Sequence, residues 1–143
     1  MRSFLKKQQE VVVTTICYEK GRVLLFRGST FCHNDGGVFF DLPRVKVSFG
    51  EDPNQAVLRM GEELFSQPVV VGDVIMIDSY LSESRSRHTV DIVCRLIRTD
   101  QTRQLPERLG NYFWSRVEDY DKYVLSARSR DLLSRLLSDM DIN

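Results

Sequence analysis

One stretch of this 143-residue chain carries a full set of helix-start signals. It is Asp52-Pro53-Asn54-Gln55, inside GEDPNQAVLRMGEELFSQ at residues 50–67. An aspartate before the first turn can accept a backbone N–H that has no helical partner. Proline suits the first helical position, and a Gln three residues after the cap can close a capping box. A second helix is expected over Ser126–Met140, where Leu132, Leu133, Leu136 and Leu137 share one apolar face. The other elements read as strands joined by loops. Two helices, one central and one C-terminal, among many strands restrict the chain to the α+β class. The expected architecture is an α-β-α sandwich, a mixed β-sheet covered on its faces.

The strands follow from β-branched runs and turn residues. Val11–Tyr18 and Arg22–Phe26, joined at Glu19-Lys20-Gly21, suggest a β-hairpin. Gly28–Gly37 reads as a polar loop. Val38–Leu42 and Val45–Phe49 are short strands split at Pro43, which cannot donate to a ladder. Val69–Leu81 and Thr89–Ile97 are longer strands joined by the polar loop Ser82–Arg87. Asp100–Asn111 is another loop, and Tyr112–Arg116 a last short strand. One domain over residues 1–143 is the simplest organisation at this length.

Twenty Lys and Arg balance twenty Asp and Glu. That neutrality argues against a general attraction to nucleic acid, and no nucleic-acid partner is expected. No apolar run approaches the ~20 residues that cross a bilayer, so no membrane partner is expected. The start MRSFLKKQQE lacks the apolar core of a secretory signal. Cys17, Cys32 and Cys94 are odd in number and widely spaced, which fits a reducing, cytoplasmic setting better than disulfides or zinc.

With the elements placed, the central segment resembles the Nudix hydrolase superfamily, the MutT-like domains. The family's box is written G-x5-E-x7-R-E-U-x-E-E-x-G-U, with U apolar. Leu42-Pro43 matches the usual entry to it, Gly50-Glu51 the Gly-Glu before the helix, and Arg59 follows Glu51 at the box spacing. LLFRG, RHTVDIVCRLI and YFWSRVEDYDKY resemble the family's first hairpin, a later strand and its closing segment. The box is degenerate. Its opening Gly is Val45 and its Glu after the Arg is Met60. The apolar U is Gly61, the paired glutamates are Glu63 and Leu64, and the later Gly is Ser66. Deleting one residue after Arg59 would instead pair Glu62 with Glu63. On a helix advancing about 100° per residue, positions 60, 63 and 64 share one arc, and Glu62 lies roughly 160° to 200° from positions 60 and 64. The glycine at 61 is a candidate point of distortion in the helix.

The resemblance implies metal-dependent attack of water on a phosphoanhydride. Mg²⁺ or Mn²⁺ would be the cofactor if the chain is active, and otherwise there is none. Hard cations want several oxygen ligands. Here Glu63 is the candidate metal ligand, with Glu107 as a loop acid. Glu63, Glu51 and Arg59 are the candidate catalytic set. Arg27, Arg44 and Lys46 match positions near substrate phosphates. Plainer explanations stand beside these. Glu63 could simply pair with Arg59 four residues earlier, and Glu51 could be a first-turn acid favoured by the helix dipole. Glu107, Arg85, Arg87 and His88 read as solvated charge. Cys32-His33 lacks an orienting partner for nucleophilic work. Phe113 and Trp114 read as core, or as a surface for a base. The expected partner is a small nucleotide-type ligand, and a homodimer is compatible with the pattern.

Overall fold

The structure is a computed structural model, which describes residues 7–29, 38–102, 108–123 and 125–140. In chain order its strands and helices are β1 (Gln8–Ile16), β2 (Tyr18–Glu19), β3 (Arg22–Ser29), β4 (Val38–Asp41), β5 (Arg44–Lys46), α1 (Pro53–Phe65), β6 (Val69–Leu81), β7 (Arg87–Arg98), β8 (Arg108–Leu109), β9 (Tyr112–Arg116) and α2 (Ala127–Met140). A 3-10 helix, Val117–Lys122, follows β9. The fold is mixed α+β with a central and a C-terminal helix. Its contacts divide into two compact units, Met1–Ile16 with Arg44–Asp100, and Cys17–Pro43 with Gln101–Asn143.

The first unit is a four-stranded sheet in the order β5-β1-β7-β6. It is mixed, because β1 runs parallel to β7 and antiparallel to β5. Val12, Val13, Thr14, Thr15 and Ile16 are all buried, so β1 is an interior strand with both faces covered. This corrects the expected hairpin. Only Cys17–Glu19 turn back onto β3, Tyr18 and Glu19 lying opposite Val23 and Arg22 and Cys17 O accepting from Leu24 N, while the long strand before them joins another sheet. The turn between them has positive φ at both Lys20 and Gly21, as a two-residue hairpin needs.

Helix α1 packs on β6 and β1 with Ala56, Val57, Met60, Gly61 and Phe65 buried. Its capping box is present. The Asp52 carboxylate accepts from Asn54 N at 2.8 Å, and Gln55 Oε1 accepts from Asp52 N at 3.0 Å. The helix is not distorted at Gly61. A Cβ there would lie 2.5 Å from Val69 Cγ2, so glycine is what lets the helix approach β6 this closely. Ser66 ends it in the left-handed conformation, φ 53°, with its N–H bonded to Glu62 O. Strand β5 stops at Lys46, short of the expected Phe49. There the chain turns through Ser48–Glu51, with Gly50 at φ 80°.

The second unit is an antiparallel sheet in the order β2-β3-β9-β8, with β4 also pairing β3. Strand β3 runs on through Gly28 and Ser29, which the sequence assigns to a loop. The two-residue β8 was likewise read as loop, since so short a strand shows no periodicity. Leu132, Leu133 and Leu136 form the buried face of α2. The Ser126 hydroxyl caps its first turn, accepting from Ser129 N at 3.2 Å. The Ser126 and Ser129 hydroxyls both donate to the Asp41 carboxylate, which ties β4 to the start of the helix. A carboxylate is favourable at that end of the helix dipole.

Candidate functional site

The turn before α1 and the first turns of the helix hold the candidate catalytic groups of the first unit. Arg59 lies one and a half turns into α1, with its side chain reaching back toward the N-terminus. Its Nε donates to Glu51 Oε2 at 3.2 Å and its Nη2 to Glu51 Oε1 at 3.1 Å. This two-pronged pair matches guanidinium to carboxylate geometry. Glu51 Oε1 also accepts from Ser48 N at 3.1 Å, and Arg59 Nη2 reaches Lys46 O at 3.5 Å. The clamp therefore ties the turn and the end of β5 to the helix. The Arg59 hydrogen bonds, then the Ser48 amide, hold the Glu51 carboxyl below the usual carboxylate range. Glu51 in turn raises Arg59 above its ordinary value.

Arg59 is bound to Glu51, and Glu63, four residues along the helix, acts on it only as a nearby charge that helps to raise Arg59. Glu63 is exposed and makes no hydrogen bond or ion pair among the described residues. The arc that position 60 shares with 63 and 64 is split. Met60 is buried, Leu64 is half-buried and Glu63 alone faces water. Because α1 is regular through Gly61, Glu62 does not rotate into that arc.

Two other candidates sit on β5. Arg44 faces Thr14 across the ladder, and its Nε donates to Thr14 Oγ1 at 3.1 Å. The Thr14 hydroxyl donates to Asp91 Oδ1 at 2.8 Å, and Arg44 Nη2 lies 4.0 Å from Asp91 Oδ2. Asp91 is fully buried, so the half-buried Arg44 supplies its counter-charge. Lys46 is largely exposed, 3.8 Å from Glu10 Oε2, and Glu10 accepts from Thr89. Thr14, Asp91 and Glu10 escaped the sequence reading because only the β1–β7 register brings them beside β5.

Mg²⁺ or Mn²⁺ would ask for several converging oxygens. Both Glu51 oxygens already accept hydrogen bonds, and Glu63 stands alone. No three His, Cys, Asp or Glu side chains come together among the described residues. These residues do not fit a protein-held metal. Glu107 lies outside the described residues, as do Cys32 and His33. Cys17 and Cys94 are buried free thiols, and burial pushes Cys94 up to about 11, far from thiolate reactivity.

Arg27 belongs to the second unit, near the end of β3. It lines a cavity of about 370 Å³ with Phe40, Asn111, Tyr112, Phe113 and Tyr123. Phe40, Phe113 and Tyr123 form a ring cluster, with centroids 5.0 to 5.4 Å apart. Pairing of β3 with both β4 and β9 assembles it. Of these aromatics the sequence reading singled out only Phe113, which proves to be a wall of the cavity. Phe40 is far from it along the chain, and Tyr123, beyond the 3-10 helix, shares no strand with it.

No protein-family profile matches the chain, and no curated protein does. Solved structures do. A MutT protein from Methanosarcina mazei Go1 is 23% identical, covering 94% of this chain and 97% of its own, with a TM-score of 0.67. The MutT Nudix hydrolase of Burkholderia pseudomallei is 20% identical over 90% of this chain and 98% of its own, with a TM-score of 0.63. A Nudix hydrolase from Nitrosomonas europaea is 12% identical over 92% and 90%, with a TM-score of 0.65. The chain has the Nudix fold. Among the described residues no helix is long and apolar enough to cross a membrane.

Proposed function

We propose that this Nudix-fold protein binds a nucleoside di- or triphosphate-type ligand, with metal-dependent pyrophosphohydrolysis weak or lost. The observation that carries the binding half is the aromatic cavity beside Arg27. Three clustered rings suit a planar base, a guanidinium suits phosphate oxygens, and the volume is that of a small-molecule site. Weak turnover is supported by the acids around α1: Glu51, before the helix, is bound by Arg59, and Glu63 belongs to no group of three possible metal ligands among the described residues. The buried free thiols of Cys17 and Cys94 support a cytoplasmic setting.

The test is calorimetric binding of nucleoside di- and triphosphates, nucleotide sugars and ADP-ribose, with hydrolysis followed in Mg²⁺ or Mn²⁺. The expected result is saturable binding with little or no turnover. No binding by the folded protein would overturn the proposal. Rapid turnover that Glu63→Gln abolishes would favour a second reading, an active divergent hydrolase cleaving a nucleoside diphosphate linked to another moiety. That reading rests on the exposed, uncommitted Glu63 and the retained Glu51–Arg59 clamp.

A further inference from the structure

We propose that the outer edge of β6 binds a second copy of this chain, the two β6 strands pairing antiparallel about a two-fold axis at Ser79. Strand β6 ends its sheet, so among the described residues one row of its N–H and C=O groups has no strand beside it. It is thirteen residues long, VVVGDVIMIDSYL, without the Lys, Arg or Pro that usually blunts an exposed edge. Most of the exposed large apolar side chains among the described residues lie there, though Phe49 lies outside it. They include Val70, Val74, Ile75, Ile77 and Leu81, with Ile77 65% and Leu81 51% exposed. Clustering of this kind marks a contact surface, whereas scattered apolar residues are ordinary.

The register follows from the backbone. Ladder irregularities lie between Val71 and Met76, which leaves Met76–Leu81 as the regular stretch. Within it Ser79 N donates to Asp78 Oδ1 at 2.8 Å and not to β7, so the Ser79 amide faces the open edge. Alternation then turns the peptide groups of Ile77 and Leu81 the same way. A two-fold axis at Ser79 sets Ser79 opposite its own copy, Ile77 opposite Leu81 and Asp78 opposite Tyr80. Apolar meets apolar, and the aspartate meets a phenol. An axis at Asp78 would instead put two carboxylates face to face, which is destabilising. Self-complementarity of this kind is what an isologous contact requires and a foreign strand would not need. The chain is formally neutral, so two copies do not repel over distance. On pairing, the Ser79 N–H exchanges the Asp78 carboxylate for the carbonyl of the other copy.

Sedimentation velocity on the full chain over a wide concentration range tests this. Ser79→Pro and Ile77→Lys would be run in parallel, with circular dichroism as the check on folding. Ser79→Pro removes a donor the β6–β7 ladder does not use, and Ile77→Lys changes an exposed side chain. The wild type is expected to pass from monomer to dimer as concentration rises, and both folded variants to stay monomeric. A wild type that remains monomeric at the highest concentration, or a dimer that survives in a folded variant, would overturn the proposal.

Discussion

The charged clamp at the head of α1 and the aromatic cavity beside Arg27 use the same residue type to opposite ends. At the clamp the guanidinium of Arg59 meets a carboxylate, an amide donates to that carboxylate, and a carbonyl faces the guanidinium, so its polar groups answer one another. At the cavity Arg27 meets no carboxylate among the described residues and borders open volume between rings. A polar group satisfied from within holds structure, and one left beside a cavity is available to a ligand. The two arginines therefore differ in what they have left to offer: Arg59 is engaged within the protein, and Arg27 borders the cavity.

The substitution expected to separate the two regions most is Arg27→Gln. Loss of a charge-assisted hydrogen bond costs about 1.5–3 kcal/mol, or about 10- to 100-fold in affinity for a phosphorylated ligand. Titration calorimetry would read it, with thermal stability unchanged. Equal binding by the variant would remove the distinction between the regions.

Gly61→Ala probes the scaffold side. Forcing a methyl against Val69, whose branched side chain is stiff, costs about 1–3 kcal/mol by overpacking. Alanine returns about 1 kcal/mol in helix propensity. A lower denaturant midpoint is expected, and a higher one would show that helix and strand can part freely.

The smallest effect is the acid response of the clamp. Glu51 titrates below its unfolded value, so its contribution is present above that value and disappears as pH falls through the folded one. Amide exchange at Ser48 should be steady from neutral pH through the ordinary carboxylate range and quicken only below it, after correction for intrinsic exchange. Release of that amide at milder acidity would show that Arg59 does not hold the carboxylate.

Much of the fold was legible because its signals are local. Asp52, Pro53 and Gln55 announce α1 within four residues, and Val69–Leu81 and Tyr112–Arg116 were bounded as observed. What failed depends on distant partners. The run from Val12 to Ile16 is buried throughout without alternation, the pattern of an interior strand, yet the nearby Lys20-Gly21 turn drew it into a hairpin reading. The same limit applied to the sites. Arg59 and Glu51 were found by spacing. The destination of Arg44, against a threonine on β1 and an aspartate on β7, could not be read from β5 alone.

The parallel pairing of β1 with β7 also bears on how the chain is made. Gln9 and His88 are seventy-nine residues apart, so the first strand leaves the ribosome long before its principal neighbour exists. Until residues 87–98 emerge, β1 has only the three residues of β5 to pair with. Its valines and isoleucine stay uncovered for that interval, and closing so long a loop is slow. A nascent chain of this protein that stops before β7 has an unmated apolar strand at its start, a point of attachment for chaperones or for other unfinished chains.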